Sequence, residues 1–456
     1  MTTRVAPELI DLLGEEAVLS EPPAIYGHDA TEHEGLEGKP DLVVVPRDTE
    51  QVRAAVKWCY ANDVPIVPRG GGSGFSGGAV PVRGGVVISL ERMTRVRSFD
   101  PGLWRMEVEA GLRTADVRRL ARENGLFYPV DPGAAEQSHI GGNIATNAGG
   151  PHAFKYGVTG HWVTGLEAVV PPGEIVSVGG PVRKDVAGYD LRGLLIGSEG
   201  TLGIVTAAWL RLIPAPEAAL PVVAAYPGIA EGCAAIEAVL ASGVLPAAVE
   251  YLDENAVAAS RGAFPEQLPS DARFVVIAEA DGSAEEAARV AGELREAMAD
   301  GAVLVHEPSV RGDVEALWRW RDGVSIAVAA VRGGKMSEDI AVPLDRLRDA
   351  IQGTLDIAGR HGLDACSWGH AGDGNLHSTF MIDSRNDDEV RRAHDAVSEL
   401  FELAAELGGT ISGEHGMGWV KRGRLGLQWS DRAVELHREI KRMFDPKGLM
   451  NPGKKE

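Results

Sequence analysis

Short apolar runs, broken by glycine and proline, fill the first half of the chain and alternate with helix-like stretches. Asp41–Pro46 (DLVVVP) reads as a buried strand. The next segment, DTEQVRAAVKWCYANDV, reads as a helix capped by Asp48 or Thr49, with Val52, Val56 and Cys59 on one face. PIVP is a second short strand, and the glycine run PRGGGSGFSGG follows at once. Short strands, one helix near Thr114–Asn124 and glycine-rich turns continue to about residue 215. The style changes at Ile213–Pro221 (IPAPEAALP), where prolines mark a boundary. Beyond it, VVAAY, PAAVEYL, ARFVVIAEA and AVLVHE read as strands, alternating with helices at Ala230–Ala241 and Ser283–Ala299. This β-α-β, β-α-β rhythm predicts a ferredoxin-like sheet layered with helices. Further helices are expected around Asp345–His361 and Asp387–Leu407, and no internal repeat is evident.

Composition narrows the partners. Of 456 residues, 45 are Lys or Arg and 66 are Asp or Glu, a net charge of −21. That balance argues against nucleic acid or an anionic membrane surface as a general partner, though a local basic pocket can still take an anionic substrate. The start of the chain carries acids throughout and has no apolar core of a signal peptide. No apolar run approaches the roughly 20 residues that cross a bilayer. Cys59, Cys233 and Cys366 are widely spaced and form no CxxC, which suits reduced thiols. The expected location is therefore cytoplasmic, with peripheral attachment at a membrane left open.

The glycine run contains Gly72, Gly74 and Gly77 at the G-x-G-x-x-G spacing of dinucleotide-binding turns. Such a turn must lead from a strand into a helix. Here AVPVRGGVVISL follows, in which Pro81, Gly84 and Gly85 block a helix and VVISL is a strand. A P-loop is excluded as well, because no Gly-Lys-Ser/Thr closes the run. What remains is a strand-loop-strand cradle whose backbone N–H groups close around phosphate. His139–Gly150 (HIGGNIATNAGG) and Gly197–Val205 (GSEGTLGIV) have the same character. Any one of them alone reads as an ordinary turn; three together point to one long diphosphate ligand.

With these segments in view, the chain resembles a known family. PRGGGSGFSGG, DPG (Asp131–Gly133), IGGNIATNAGG, KDVAGYDL and GSEGTLGIVT are similar to the FAD domain of vanillyl-alcohol-oxidase-type flavoproteins. GHAGDGNLH, ISGEHGMG and FDPKGLMNPGK resemble the branch that holds D-lactate dehydrogenase, D-2-hydroxyglutarate dehydrogenase and the flavin subunit of glycolate oxidase. The resemblance spans almost the whole chain. It implies an α+β protein: a two-subdomain FAD-binding domain of that type over residues 1–215, a ferredoxin-like substrate- and metal-binding domain over 216–425, and a C-terminal segment, 426–456, returning to the FAD domain. The implied cofactor contacts are Pro68, Arg69, Gly70, Gly71, Gly72, Ser73 and Gly74; Asp131 and Pro132; Ile140, Gly141, Gly142, Asn143, Ala145, Thr146, Asn147, Gly149 and Gly150; Glu199, Gly200, Gly203 and Ile204; and Asn451 near the flavin ring. Some relatives tether FAD through a His in the first glycine loop; Ser73 stands there, so noncovalent FAD is expected. His139 stands where Thr is more usual, and no role is assigned to it.

GHAGDGNLH can be read without the family. Asp373-Gly374 is a preferred two-residue hairpin loop, which would set His370 opposite His377 on one face. Glu414, among glycines in SGEHG, offers a third ligand. Two His, one carboxylate and open positions describe a catalytic rather than a structural metal site. The resemblance implies the same three residues. A bare pair of histidines near a turn is more often solvated or core-satisfied; the hairpin, Glu414 and the surrounding motif weigh against that here. Zinc is the default ion by ligand type, and Mn, Fe or Co also fit.

His415, beside the metal ligand, suits a general base that takes the hydroxyl proton while hydride leaves for the flavin. Arg321 and Ser325 lie one helical turn apart, and Lys335 follows; on spacing alone they are a solvated basic face, and the resemblance turns them into substrate-carboxylate contacts. Thr379 stands where the 2-hydroxyglutarate branch has a substrate-contacting Asn, which puts a five-carbon diacid in doubt. The expected activity is FAD- and divalent-metal-dependent oxidation of a D-2-hydroxy acid of the D-lactate, glycolate or D-2-hydroxyglutarate class. A quinone, electron-transfer flavoprotein, cytochrome or oxygen would take the electrons, and a homodimer is left open. The alternatives are a non-redox flavin synthase on the same fold, which would not need the His-His-Glu set, and a flavin subunit whose chemistry lies elsewhere.

Overall fold

The structure, a computed structural model, describes residues 2–33, 35–308 and 310–456, and the chain divides into two compact units. The first comprises the chain up to Gly149, Gly157–Ala215 and Glu414–Glu456; the second comprises Gly150–Tyr156 and Pro216–Gly413.

In the first unit, strands β1 (Val18–Leu19), β2 (Leu42–Val44), β3 (Ile66–Arg69) and β4 (Val86–Ser89) form a sheet of order β1-β2-β4-β3. The helix Thr49–Ala61 links β2 to β3, and the Asp48 carboxylate caps it by accepting from the Gln51 N–H. Its Val52, Val56 and Cys59 pack on Leu42, Val44, Ile66 and Ile88, as the periodicity predicts. β3 and β4 run parallel, a pairing that normally requires a helical crossover. Here the glycine-rich stretch between Arg69 and Val86 makes the crossover with no helix, so it has to leave and re-enter the sheet as loop.

Strands β5 (Val96–Asp100), β6 (Arg105–Glu109), β7 (Leu126–Phe127), β8 (Val163–Val170), β9 (Glu174–Gly179), β10 (Ile204–Arg211) and β11 (Ile213–Pro214) follow. β7 and β11 pair with each other, and the rest form an antiparallel sheet of order β5-β6-β10-β8-β9. The C-terminal residues add to β3: Ile66 donates to the Leu449 carbonyl at 2.8 Å and accepts from the Asn451 N–H at 2.7 Å.

The second unit is built on seven antiparallel strands: β12 (Ala218–Tyr226), β13 (Ala248–Leu252), β14 (Phe274–Gly282), β15 (Leu304–His306), β16 (Gly334–Ala341), β17 (Asp364–His370) and β18 (Asn375–Ile382). Their order is β15-β12-β14-β13-β17-β18-β16. The first four have the ferredoxin-like order, with the helices Ile229–Ala241 and Ala284–Met298 as crossovers. β16, the helix Leu347–His361, β17, β18 and the helix Asp387–Glu406 then repeat that topology, and the two halves join edge to edge through β13 and β17. The fourth strand of the second half is reduced to one bridge, Ala341 with Thr410. No sequence repeat announces this duplication.

Alternation along the strands puts Val223, Leu252, Ile277, Cys366 and Trp368 on one face, under Leu317, Trp320, Val324 and Val328 of two helices. The same alternation places Glu279, Glu250, His370, His377 and Asp339 on that same face, beyond its apolar half. A sheet face that is core at one end and ionisable at the other is costly to bury unless its polar groups are paired. Among the described residues, no helix is long and apolar enough to cross a membrane.

Candidate functional site

The first unit encloses a cavity of about 1270 Å³, its solvent mouth included. Three glycine-rich segments contribute most of its lining. Pro68 to Gly74 contribute one side, Gly141, Gly142, Asn143, Ala145, Thr146 and Gly149 another, and Glu199, Gly200, Gly203 and Ile204 a third, with Pro132 at the rim. Gly72 and Gly200 sit at φ +69° and +70°, where a side chain would be strained. A Cβ on Gly74 would touch nothing within 4 Å, and one on Gly142 would meet only the Gly70 Cα at 4.0 Å. Both glycines line the cavity, so an added carbon at either would take up space that a ligand lying against the backbone can use. A long wall of glycine backbone with two such positions fits FAD.

Other expected contacts stand behind the wall. Ile140 is fully buried. Asn147, at φ +55°, accepts from the Gly160 N–H at 2.8 Å through its side chain. Asp131 is half-buried outside the lining, and Gly150 belongs to the second unit. The Asn451 side chain donates to the carbonyls of Gly78 and Glu199 at 3.0 and 2.8 Å, tying two glycine segments together. The Glu199 carboxylate accepts from the backbone N–H groups of Met417 and Gly418 at 2.9 and 2.6 Å and from Lys455 at 3.1 Å. It thereby fixes the GEHGMG loop. Arg69 donates to the His28 carbonyl at 2.5 Å and lies beneath Gly72.

The cavity also takes in Phe75 and Ser76, inside the first glycine motif but not singled out there, and Asp29 and Leu90, which no motif marked. Burial raises the Asp29 carboxyl above the usual range. Asp29 is an acid in an N-terminal loop, and that alone is too weak a signal to read from sequence. His139 lines the cavity too; its Nδ1 is buried with no hydrogen-bond partner, and burial lowers its pKa.

Glu414 and His415 are part of the same wall. Ser76 donates to the His415 carbonyl at 3.1 Å, and the Phe75 and His415 rings are 4.8 Å apart. His415 Nε2 is 4.0 Å from Glu414 Oε1.

In the second unit, the hairpin between β17 and β18 differs from the expected one. Ala371–Asp373 form a 3₁₀ turn and Gly374 takes φ +67°, so four residues make the loop instead of two. The register sets His370 opposite Asn375 and His377 opposite Trp368. The shift is two residues, and an even shift keeps every side chain on its face. The two imidazoles therefore still converge, now on the diagonal, with ring centroids 5.4 Å apart and nearly perpendicular. Past the Thr410 bridge, the Ser412 hydroxyl reaches both Asp339 carboxylate oxygens at 3.3 Å, and Gly413 packs so closely on Asn375 that a Cβ would overlap its amide. The chain thus arrives at Glu414, the carboxylate expected to join His370 and His377 as a ligand. That donor set suits a divalent transition ion.

The helix expected to carry both Arg321 and Ser325 breaks at Gly323 into Arg311–Asp322 and Val324–Arg332. Arg321, 9% exposed, pairs with the fully buried Glu250 through Nε and Nη2 at 2.7 and 2.6 Å. Ser325 is half-buried at the start of the second helix. Lys335, on β16, lies 5.9 Å over the Trp368 ring, which is itself 5.9 Å from the His377 ring. Thr379, in the next row, shares a 2.7 Å hydrogen bond with Ser337.

Comparisons with known proteins agree with this architecture. Residues 215–455 match the profile described as FAD linked oxidases, C-terminal domain, and residues 40–179 match that of an FAD binding domain. The chain is 38% identical over 431 residues to glycolate oxidase subunit GlcD of Bacillus subtilis, covering 94% of this chain and 91% of that one. It is 35% identical to D-lactate dehydrogenase of Archaeoglobus fulgidus, with 91% and 90% covered. Among solved structures, p-cresol methylhydroxylase with substrate bound superposes with a TM-score of 0.83 at 19% identity, covering 99% of this chain and 96% of that one.

Proposed function

The chain belongs to the FAD-linked oxidases and is an FAD-dependent oxidoreductase, and from that membership we propose that it oxidises a D-2-hydroxy acid, of the D-lactate, glycolate or D-2-hydroxyglutarate class, to the 2-oxo acid. The observation that carries this is the position of His415: an imidazole in the wall of the glycine-lined cavity, next in sequence to Glu414, the carboxylate proposed as the third ligand beside His370 and His377. A non-redox synthase has no use for that set.

FAD would be held by the glycine-rich lining of the cavity and, when bound, would supply hydride-accepting chemistry. A divalent cation, zinc by default, would be held by His370, His377 and Glu414, where it would lower the substrate hydroxyl pKa. His415 Nε2 takes the hydroxyl proton. Glu199 keeps His415 in place by gripping the backbone two and three residues beyond it. Lys335 is the substrate-carboxylate contact favoured by position, since the Nε and Nη2 of Arg321 already face Glu250. Ser325 and the remaining Nη1 of Arg321 are the auxiliary contacts. The Ser337–Thr379 hydroxyl pair offers less reach than an Asn, in line with a short substrate.

The test is anaerobic. D-lactate, glycolate and D-2-hydroxyglutarate are mixed in turn with purified protein, with L-enantiomers as controls. At least one D-acid, or glycolate, should bleach the oxidised flavin, and bleaching should slow about a hundredfold or more after chelation. Flavin that stays yellow with every 2-hydroxy acid overturns the proposal.

A further inference from the structure

Glu250 is the third residue of β13 in an otherwise apolar strand, Ala248–Leu252, and none of it is exposed. A carboxylate placed there needs partners on the same face. It has two. The register sets it directly opposite His370, and Oε1 lies 2.7 Å from His370 Nδ1. Oε2 accepts from Arg321 Nε at 2.7 Å and pairs with Nη2 at 2.6 Å.

We propose that Glu250 is the positioning residue that selects the metal-ligating tautomer of His370 and couples it to Arg321. An ionised carboxylate can only accept, so the proton of neutral His370 must sit on Nδ1. The lone pair is then left on Nε2, the nitrogen that would ligate the cation. Arg321 meets the same carboxylate from the opposite side, so one buried acid fixes both the direction of a ligand and the place of a guanidinium. This rests on His370 being a metal ligand, as proposed above.

The sheet supplies its own control. Glu279, 4% exposed, lies on the neighbouring strand of the same face, with His152 Nε2 at 2.8 Å and the Trp318 indole N–H donating at 2.9 Å. One helix thus lays Trp318 and Arg321, three residues apart, over two buried carboxylates. Only one of those carboxylates holds a histidine of the ligand set.

Glu250→Gln keeps the volume and removes the logic. If the amide turns its NH₂ to His370, Nδ1 must become the acceptor and Nε2 takes the proton. If it turns its oxygen there, the NH₂ confronts Arg321. The experiment measures Zn²⁺ affinity by chelator competition in metal-stripped, FAD-loaded wild type, Glu250→Gln, Glu250→Asp and Glu279→Gln. Glu250→Gln should bind Zn²⁺ about 10–100-fold more weakly, the size expected for an outer-shell partner of a ligating His. Glu250→Asp should fall between, and Glu279→Gln should stay at wild type. The metal-free melting temperature of Glu250→Gln should fall, because Arg321 loses its buried counter-charge, so affinities are compared at a temperature where both metal-free proteins are folded, and the isosteric Glu279→Gln controls for loss of a buried carboxylate as such. If wild type takes up no Zn²⁺, the metal site itself is wrong. If wild type binds and either folded Glu250 variant binds equally well, the positioning role is wrong.

Discussion

The cavity of the first unit and the ionisable end of the second unit's sheet use opposite materials. The cavity is lined largely by three glycine-rich segments. The sheet end is all side chains: two histidines, buried carboxylates and a guanidinium held in pairs. A diphosphate-bearing ligand asks for close approach and N–H groups, which any chain supplies once Cβ atoms are absent. A metal and a proton transfer ask for particular atoms in particular tautomers. The first kind of site fails when something is added, the second when something is taken away.

The largest expected effect tests the second half of that contrast. His415→Ala should lower turnover by about 10²–10⁴-fold, the usual share of a general base. FAD content should not change, because His415 is one residue among many that line the cavity. Turnover within a few-fold of wild type, at full flavin occupancy, would remove His415 from the chemistry and favour a subunit that only carries flavin.

A smaller effect tests the first half, using glycines that differ only in what a methyl would meet. At Gly71 an added Cβ would overlap the Gln137 carbonyl oxygen, a backbone atom that cannot turn away. Gly71→Ala should destabilise the protein by about 1–3 kcal/mol, the range for overpacking, whether or not FAD is present. At Gly74 the methyl would enter open space in the cavity. Gly74→Ala should leave the melting temperature of the flavin-free protein unchanged and weaken FAD binding about tenfold, roughly 1.4 kcal/mol. Equal behaviour of the two variants in both assays would mean that the cavity is not where the cofactor lies.

The same contrast explains what could be read from the chain alone. Glycine spacing and the strand after it were enough to reject a Rossmann turn, because Pro81, Gly84 and Gly85 speak to local backbone. The hairpin register came out two residues off. Asp373 closes a 3₁₀ turn instead of entering the left-handed region that a two-residue loop demands, and Gly374 alone takes positive φ. The histidine pair survived because even shifts preserve the face. Gly323, in a conformation compatible with helix, still splits the segment of Arg321 and Ser325. Glu250 was legible in kind but not in partner. A Glu inside PAAVEYL signals a buried acid, yet nothing local says that β17 pairs with β13. Nor does one sequence show that β16 to β18 repeat the topology of β12 to β14, since duplicated packing requires only matched polarity at each position.

An effect of similar size concerns a lysine that this unit buries near its C-terminus. Lys454, 2% exposed, donates to the carbonyls of Gly78 and Val80, at 3.0 and 2.6 Å, and to the Asn451 side chain at 2.7 Å. Burial, the dominant cause, lowers its pKa from 10.5 to about 7. The unfolded chain therefore holds this proton more tightly than the folded one over the interval from about 7 to 10.5. Where the unfolded state binds more protons, stability rises with pH. The contribution is fully present above the unfolded value and is lost as pH falls towards 7. Three oxygen acceptors around the ammonium temper the effect, so wild type should gain roughly 1–3 kcal/mol on Lys454→Met between pH 7 and pH 10. Denaturant titrations of both proteins at the two pH values measure that difference directly. A flat difference would show that the lysine stays charged in the fold, its carbonyl cage outweighing burial, and that even in this unit particular side-chain atoms set the electrostatics.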